Sequence, residues 1–347
     1  MKVIGVVFGG ASFEHNESIR AARNLYYRCV DALRRKYDFR FFYLSKKNKC
    51  ASADESLEIV RGDMKPKEVE DLDHANLLGL STVDVIYNTG MGFGGGESGN
   101  IHGLADLLGK PIIGCGLLSS AVCLDKHMAK QLAIVSGVPI VPYICVFRGI
   151  DHGELLTRIR TEIGYPCFVK GVNLGTCFSA FWAHDEETLL TKWDQSLKDA
   201  PTTEFYLIEQ YIANKEVRVF VWEDEEDCLQ TNDTFITTLN LKCLERDCKG
   251  GEKLFEHHAN NFSEAVRQQI KLWACQLFRA FRCRDYARLD FFVEDGSQRI
   301  YFNEVNTQPF IGGKFSDTTD KSTGALSLPE FIDLMVKRNV KKKKTRF

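Results

Sequence analysis

Short apolar runs alternate with helically spaced apolar positions from the first residues of the chain. Val3–Phe8 is an unbroken apolar run of strand length that enters a turn at Gly9-Gly10-Ala11-Ser12. Beyond it, Ile19, Ala22, Tyr26, Cys29 or Val30, and Leu33 recur every three or four positions and form one apolar helix face. Phe39–Leu44 reads as a second strand, and residues 46–80 are charged, weakly patterned and read as surface helix and loop. Val83–Tyr87 is a third strand and leads into the glycine-rich stretch Gly90–Gly99. A helix at Ile101–Leu108 stops at Gly109, and Pro111-Ile112-Ile113 is a short strand. This alternation predicts a parallel α/β domain over residues 1–114.

The pattern then changes. One helix is predicted over Ser119–Gly137, followed by a strand at Tyr143–Arg148 and a strand–loop–strand at Cys167–Lys170, Gly171–Gly175 and Thr176–Ala183. A helix near Glu186–Leu197 closes a second unit over residues 115–209. The chain becomes strand-rich from Tyr206, with apolar runs at Tyr206–Glu209, Val217–Trp222 and Phe235–Leu241, and residues 210–347 form a third unit. It goes on to a long helix Ser263–Phe281, strands at Asp290–Val293 and Ile300–Asn303, and a last helix Leu328–Lys337.

With 347 residues the chain exceeds one ordinary core, which agrees with several packed units. It carries 45 basic and 47 acidic side chains, a balance that gives nucleic acid no electrostatic claim as main partner. The basic cluster from Lys337 through Lys341, Lys342, Lys343 and Lys344 to Arg346 reads as a solvated terminus. No run reaches the ~20 apolar residues of a membrane helix, and the N-terminal apolar run is too short for a signal peptide. The 12 cysteines include no Cys-x-x-Cys pair, so reduced thiols and a cytoplasmic location are expected.

Chemistry concentrates toward the C-terminal end. Arg288-Leu289-Asp290-Phe291-Phe292 and Tyr301-Phe302-Asn303-Glu304-Val305-Asn306 flank the hairpin signal Glu294-Asp295-Gly296-Ser297. Pairing these strands brings Asp290 close to Glu304, and Glu304 and Asn306 share one face. Two carboxylates and an amide oxygen suit Mg²⁺ with nucleotide phosphates completing its shell, although a solvent-facing polar hairpin has the same pattern. Lys126 follows Asp125 on a helix, and Lys170 ends the apolar strand Cys167-Phe168-Val169, where its charge either meets a phosphate or snorkels to the surface. The loop Asn173–Ser179 offers backbone N–H groups to phosphate oxygens. The apolar run into Ile208-Glu209-Gln210-Tyr211-Ile212, with Glu216 beyond, offers backbone groups to a purine edge and a carboxylate to ribose hydroxyls, although an ordinary edge strand has the same pattern.

In this order the pieces resemble the ATP-grasp superfamily and, more narrowly, the D-alanine–D-alanine ligase family. Phe8-Gly9-Gly10-Ala11-Ser12-Phe13-Glu14 is similar to that family's Gly-Gly-x-Ser-x-Glu. Gly96-Glu97-Ser98-Gly99-Asn100-Ile101-His102-Gly103 is similar to its Gly-Glu-Asp-Gly-x-x-x-Gly. Leu124-Asp125-Lys126 is similar to Met-Asp-Lys, and Asn303-Glu304-Val305-Asn306-Thr307-Gln308-Pro309 to Asn-Glu-x-Asn-Thr-x-Pro. The resemblance covers residues 3–335. It implies an ATP-grasp fold: an N-terminal parallel α/β substrate-binding domain, then central and C-terminal α+β domains clamping ATP.

The activity so implied is ATP-dependent ligation through an acyl phosphate, with ATP and Mg²⁺ (Mn²⁺ as an alternative ion) as cofactors. The resemblance assigns Lys126, Lys170 and the loop Gly175, Thr176, Cys177 to ATP phosphates, and Glu209, Tyr211, Ile212 and Glu216 to adenosine. Asp290, Glu304 and Asn306 become metal ligands. Arg288, Glu14 and Thr176 become the catalytic groups, and Glu14, Lys314 and Ser316 bind substrate. The family often forms homodimers.

The departures lie on the substrate side. Asn88–Gly95 is longer than the family's corresponding segment and lacks its histidine. Phe310 stands for a glycine, Thr176-Cys177 for two serines, and Gly312-Gly313-Lys314-Phe315-Ser316 lacks the usual serine placement. The segment Leu241–Gly251 holds no tyrosine-rich loop. A substrate pair other than two D-alanines is therefore expected, with Lys314 placed to meet an extra carboxylate. A true D-alanine–D-alanine ligase, a ligase with a hydroxyl acceptor and a non-catalytic nucleotide-binding module stay open. Gly90-x-Gly92-x-x-Gly95 also matches a dinucleotide fingerprint, but the strand after it, Pro111-Ile112-Ile113, ends without the carboxylate that ribose recognition requires.

Overall fold

Three sheets carry the site. In this computed structural model the described residues are 1–175, 178–232, 235–238, 255–258, 262–309 and 326–343. The apolar run after the N-terminus becomes the strand Lys2–Gly9, central in a sheet of six strands. It pairs in parallel with Tyr37–Leu44 on one side and Val85–Asn88 on the other, and Ile112–Ile113 extends the latter edge. The weakly patterned stretch after residue 46 contributes two short edge strands, Cys50–Ala51 and Leu72–Asp73, which run antiparallel. They were illegible because two-residue strands have no periodicity. The helix His15–Leu25, continued by a wider turn Tyr26–Val30, buries Ile19, Ala22 and Cys29 against this sheet.

The predicted single helix over Ser119–Gly137 is two helices, Leu117–Leu124 and Lys126–Val135. Asp125 breaks the run by capping the second one, its carboxylate accepting the Met128 amide at 3.0 Å. Lys126 consequently opens a helix rather than riding on the side of one. Both helices pack on the strand Ile300–Asn306 of the third sheet.

The second sheet has the order Tyr143–Phe147, Phe205–Gln210, Cys167–Gly171, Phe181–Ala183, all antiparallel. Its last strand starts at Phe181, not at Thr176. Phe178 and Ser179 lie in a turn, and Ser179 takes a left-handed backbone at φ 61°. The helices His152–Arg158 and Glu186–Asp199 cover this sheet, capped by Asp151 and Asp185. The first of them carries too short an apolar pattern to read from sequence.

In the third sheet Asn214–Glu223 pairs antiparallel with Tyr286–Glu294, which pairs with Ile300–Asn306. The helix Glu264–Ala280 packs on its apolar face beside Lys126–Val135, sharing one core with it. The last helix, Leu328–Lys343, returns to the first sheet. Leu328, Phe331, Ile332, Met335 and Val336 are spaced for one face and are all buried there, each worth about 1.5–3 kcal/mol. The run expected to be a frayed basic end from Lys337 onward is therefore helical through Lys343. Lys337 lies 3.0 Å from Asp333, and Arg338 is buried against Glu223 and Asp285.

Candidate active site

The hairpin of the third sheet sets Asp290 directly opposite Glu304, with a β-bulge just after Asp290. Bulges redirect side chains, and this one sits where the acidic groups meet. Asp290 is fully buried and both its oxygens are gripped by the Arg288 fork, at 2.8 and 2.7 Å. The Asn306 amide nitrogen lies 3.4 Å from Asp290 Oδ2 and 3.4 Å from Glu304 Oε1. Amide oxygen and nitrogen are interchangeable by a half-turn of the side chain. After that turn three hard oxygens face one point, which fits Mg²⁺ if nucleotide phosphates supply the other ligands. Among the described residues no group of three or more His, Cys, Asp or Glu side chains gathers around a metal position.

Arg218, on the neighbouring strand opposite Asp290, lies 3.9 Å from Asp290 Oδ2 and 3.7 Å from Glu216 Oε1. Burial pushes the Glu216 carboxyl up to about 7; Asp290 and Glu304 add to that shift, and Arg218 and Arg288 oppose it.

The predicted lysines converge on this cluster. Lys126 Nζ donates to the Leu174 carbonyl at 2.7 Å and lies 3.5 Å from Glu304 Oε2. Lys170 Nζ donates to Asn303 Oδ1 at 3.1 Å and lies 2.8 Å from Glu209 Oε2. Burial opposes the charge on Glu304, yet Lys126, Lys170 and Arg288 hold its carboxyl down at about 2. Glu209 is likewise held at about 2 against burial, by Lys130 and Lys170. Phosphate oxygens arriving between Lys126 and Lys170 would meet two ammonium groups already desolvated, where charge interactions are strongest.

Glu14 approaches from the first sheet. Its backbone N–H is held by Ser12 Oγ at 3.1 Å, and that hydroxyl donates to the Met91 carbonyl at 2.6 Å. Its carboxylate lies between two glycine loops: a Cβ on Gly92 would come within 2.6 Å of Oε2, and one on Gly175 within 2.8 Å of Oε1. Burial raises the Glu14 carboxyl to about 7, helped by Glu97 and Glu304 and opposed by Lys126. Glu97, itself raised by burial, accepts the Gly92 amide at 2.9 Å. Phe13 stacks on Phe178, three residues after Gly175, with centroids 3.9 Å apart.

Residues 132–319, more than half of the chain, match the family described as D-ala D-ala ligase C-terminus. The chain belongs to the D-alanine–D-alanine ligase family. It is 28% identical to the D-alanine–D-alanine ligase of Caldicellulosiruptor bescii over 99% of this chain and 98% of that one. Its fold superposes on the VanG D-Ala:D-Ser ligase of Enterococcus faecalis with a TM-score of 0.81, at 21% identity, covering 97% of this chain and 99% of that one. It also superposes on the D-alanine–D-alanine ligase of Bacillus anthracis complexed with ATP, with a TM-score of 0.72, at 19% identity and 100% coverage of both. The architecture is thus ATP-grasp, and the enzyme is an ATP-dependent carbon–nitrogen ligase.

Within this member of the D-alanine–D-alanine ligase family the predicted residues are distributed unevenly. Lys126, Lys170, Arg288, Asp290, Glu304, Asn306 and Glu14 form one connected region. Glu209 and Glu216 lie on different sheets, and Glu216 sits with the Arg218–Asp290 charges. Tyr211 is exposed and meets Trp182 edge-on at 5.1 Å; the Ile212 carbonyl accepts from Asn214 at 2.8 Å. Thr176, Cys177, Phe310, Lys314 and Ser316, and the segment 241–251, lie outside the described residues. Lys130, Arg218, Asn303 and Glu97 join the site beyond the residues expected there. A signal existed for two of them. Lys130 occupies a helix position between the buried Ala129 and Ala133, and Arg218 shares a strand face with Glu216.

Proposed function

We propose that the enzyme activates the carboxylate of an α-amino acid with ATP and joins it to the amino group of a second amino acid or amine, releasing ADP and phosphate. The observation that carries this reading is the 3.5 Å approach of Lys126 to Glu304 across the helix–sheet boundary, which joins the phosphate-side lysines to the Asp290–Asn306 oxygens. Mg²⁺, when bound, would neutralise and align the phosphate oxygens at Asp290, Glu304 and Asn306.

Lys126 and Lys170 hold the phosphates in line with the incoming carboxylate oxygen. That oxygen bonds to the γ-phosphorus as the bond to ADP breaks. The neutral amine then attacks the acyl carbon and loses a proton. Inorganic phosphate leaves with the oxygen that began in the carboxylate. Arg288 faces the oxyanion of the tetrahedral intermediate, and Glu14 anchors the ammonium of the first amino acid. A carboxyl raised to about 7 in the free site becomes a full anion when that ammonium arrives.

The relatives' names, D-Ala-D-Ala and D-Ala:D-Ser ligase, favour D-alanine as the first substrate. The altered 310–316 segment favours an acceptor other than a second D-alanine, larger or acidic, with Lys314 and Ser316 toward it. Thr176 and Cys177 would cover the phosphates, and Tyr211, Ile212 and the Glu209 carboxylate the adenine, with Glu216 toward the ribose. We take the enzyme to work in the cytoplasm, as a homodimer, on small molecules; among the described residues no helix is long and apolar enough to cross a membrane.

The test is a phosphate-release screen with ATP, Mg²⁺ and pairs of amino acids, with mass spectrometry of the products. ADP release that depends on an amino-acid pair and yields a dipeptide supports the reading. ATP turnover indifferent to added amino acids would remove it.

A further inference from the structure

One buried charge takes no part in the reaction described above. Lys130 lies one turn after Lys126 on the same helix and has no exposed surface. Burying an ammonium is costly, and a buried ion pair seldom adds stability over a packed apolar residue. Stability alone is therefore a poor reason for a lysine here. Its Nζ lies 2.9 Å from Glu209 Oε1 and over the Tyr143 ring at 5.7 Å. The other oxygen of Glu209 lies 2.8 Å from Lys170, whose Nζ continues to Asn303 at 3.1 Å. A chain of four side chains thus runs from the helix, through the second sheet, to the strand that bears Glu304. Each oxygen of Glu209 meets its own lysine, which fixes the rotation of the carboxylate. Without Lys130 both oxygens are free to turn onto Lys170, and neither the carboxylate nor the Lys170 ammonium keeps its direction.

We propose that Lys130 is a positioning residue for the nucleotide: acting only through Glu209, it orients that carboxylate toward the purine amino group and holds Lys170 toward the phosphates. This rests on the reading of Glu209 as the adenine contact. The side chain touches neither nucleotide nor amino acid, so its removal acts on base discrimination and nucleotide affinity, not on amino-acid binding.

The experiment is calorimetric titration of the full-length enzyme with ATP and with ITP, whose purine bears a carbonyl in place of the amino group. Lys130→Met keeps the length and removes the charge. It is expected to weaken ATP about tenfold and ITP much less, so that the preference for ATP shrinks while the amino-acid KM stays put. Glu209→Gln should shrink the same preference. Lys130→Gln, which keeps a donor toward Glu209, should fall between, and it serves if the methionine variant does not fold. A folded Lys130 variant with the wild-type ATP-to-ITP ratio would overturn the inference alone. Equal binding of ATP and ITP by the unaltered enzyme would remove the adenine reading of Glu209 and the inference with it.

Discussion

Replacing Glu304 by glutamine isolates one charge at the centre of the site. The change keeps volume and leaves an oxygen for Asn306, but removes the partner that Lys126 meets at 3.5 Å. At an effective dielectric constant of ~20, that attraction is about 5 kcal/mol. About a quarter of the Glu304 side chain is exposed, so screening reduces it to about 3 kcal/mol, the lower end of what breaking a buried pair costs. If the charge serves the transition state, kcat/KM for ATP falls by at least about a hundredfold. The assay couples ADP release to NADH oxidation at saturating amino acid. A thermal melt supplies the control for folding. The melt carries a second signature. Glu304 is held at about 2 against an ordinary value of 4.5. A depressed carboxyl contributes stability that is whole above its unfolded value and is lost as pH falls toward the folded one. The variant therefore loses less of its melting temperature between about pH 4.5 and 2 than the unaltered enzyme does. A folded Glu304→Gln enzyme with kcat/KM within about threefold of the original would refute the reasoning.

Lys170→Ala should weaken ATP at least about tenfold by calorimetry and Lys170→Arg less, because arginine keeps the charge; equal affinities for all three would count against a phosphate role. Glu14 should make the first amino acid's KM rise as pH falls below about 7, since the protonated carboxyl no longer attracts an ammonium. Glu14→Gln should flatten that limb, and an unchanged pH profile would contradict it. The same variant should melt higher at pH 8, where the unaltered enzyme bears the cost of a buried anion. Phe178→Ala removes the stacking on Phe13 and should raise the KM of ATP and amino acid together by a few fold; a rise in neither would show that the stack does not hold the loop.

Where local pattern and chain order coincide, the sequence was readable. The hairpin around Asp290 and Glu304 follows from a turn signal between two strand-length runs, and the structure sets the two residues opposite each other. The long helix before it, seen at Glu264–Ala280, has enough turns to show its period. Failures came where one residue outweighs a pattern. The apolar spacing from Ser119 to Gly137 runs straight through Asp125, yet a carboxylate accepting one amide ends one helix and starts another. Partnership across sheets was also hidden. Nothing in the neighbourhood of Lys130 says that its ammonium meets Glu209, because the contact joins a helix to a strand about eighty residues later. Arg338 is hidden within a basic run that reads as solvated, since a run of like charges looks the same whether or not one member folds inward. Its partners Glu223 and Asp285 lie more than fifty residues earlier.

The central claim is that a carboxylate oxygen passes to phosphate through an acyl phosphate. Supplying the first amino acid with both carboxylate oxygens as ¹⁸O and analysing inorganic phosphate by mass spectrometry tests it directly. The account predicts ADP and phosphate in equal amounts, with one ¹⁸O in each phosphate for every dipeptide formed. Unlabelled phosphate, or AMP and pyrophosphate as the nucleotide products, would contradict it.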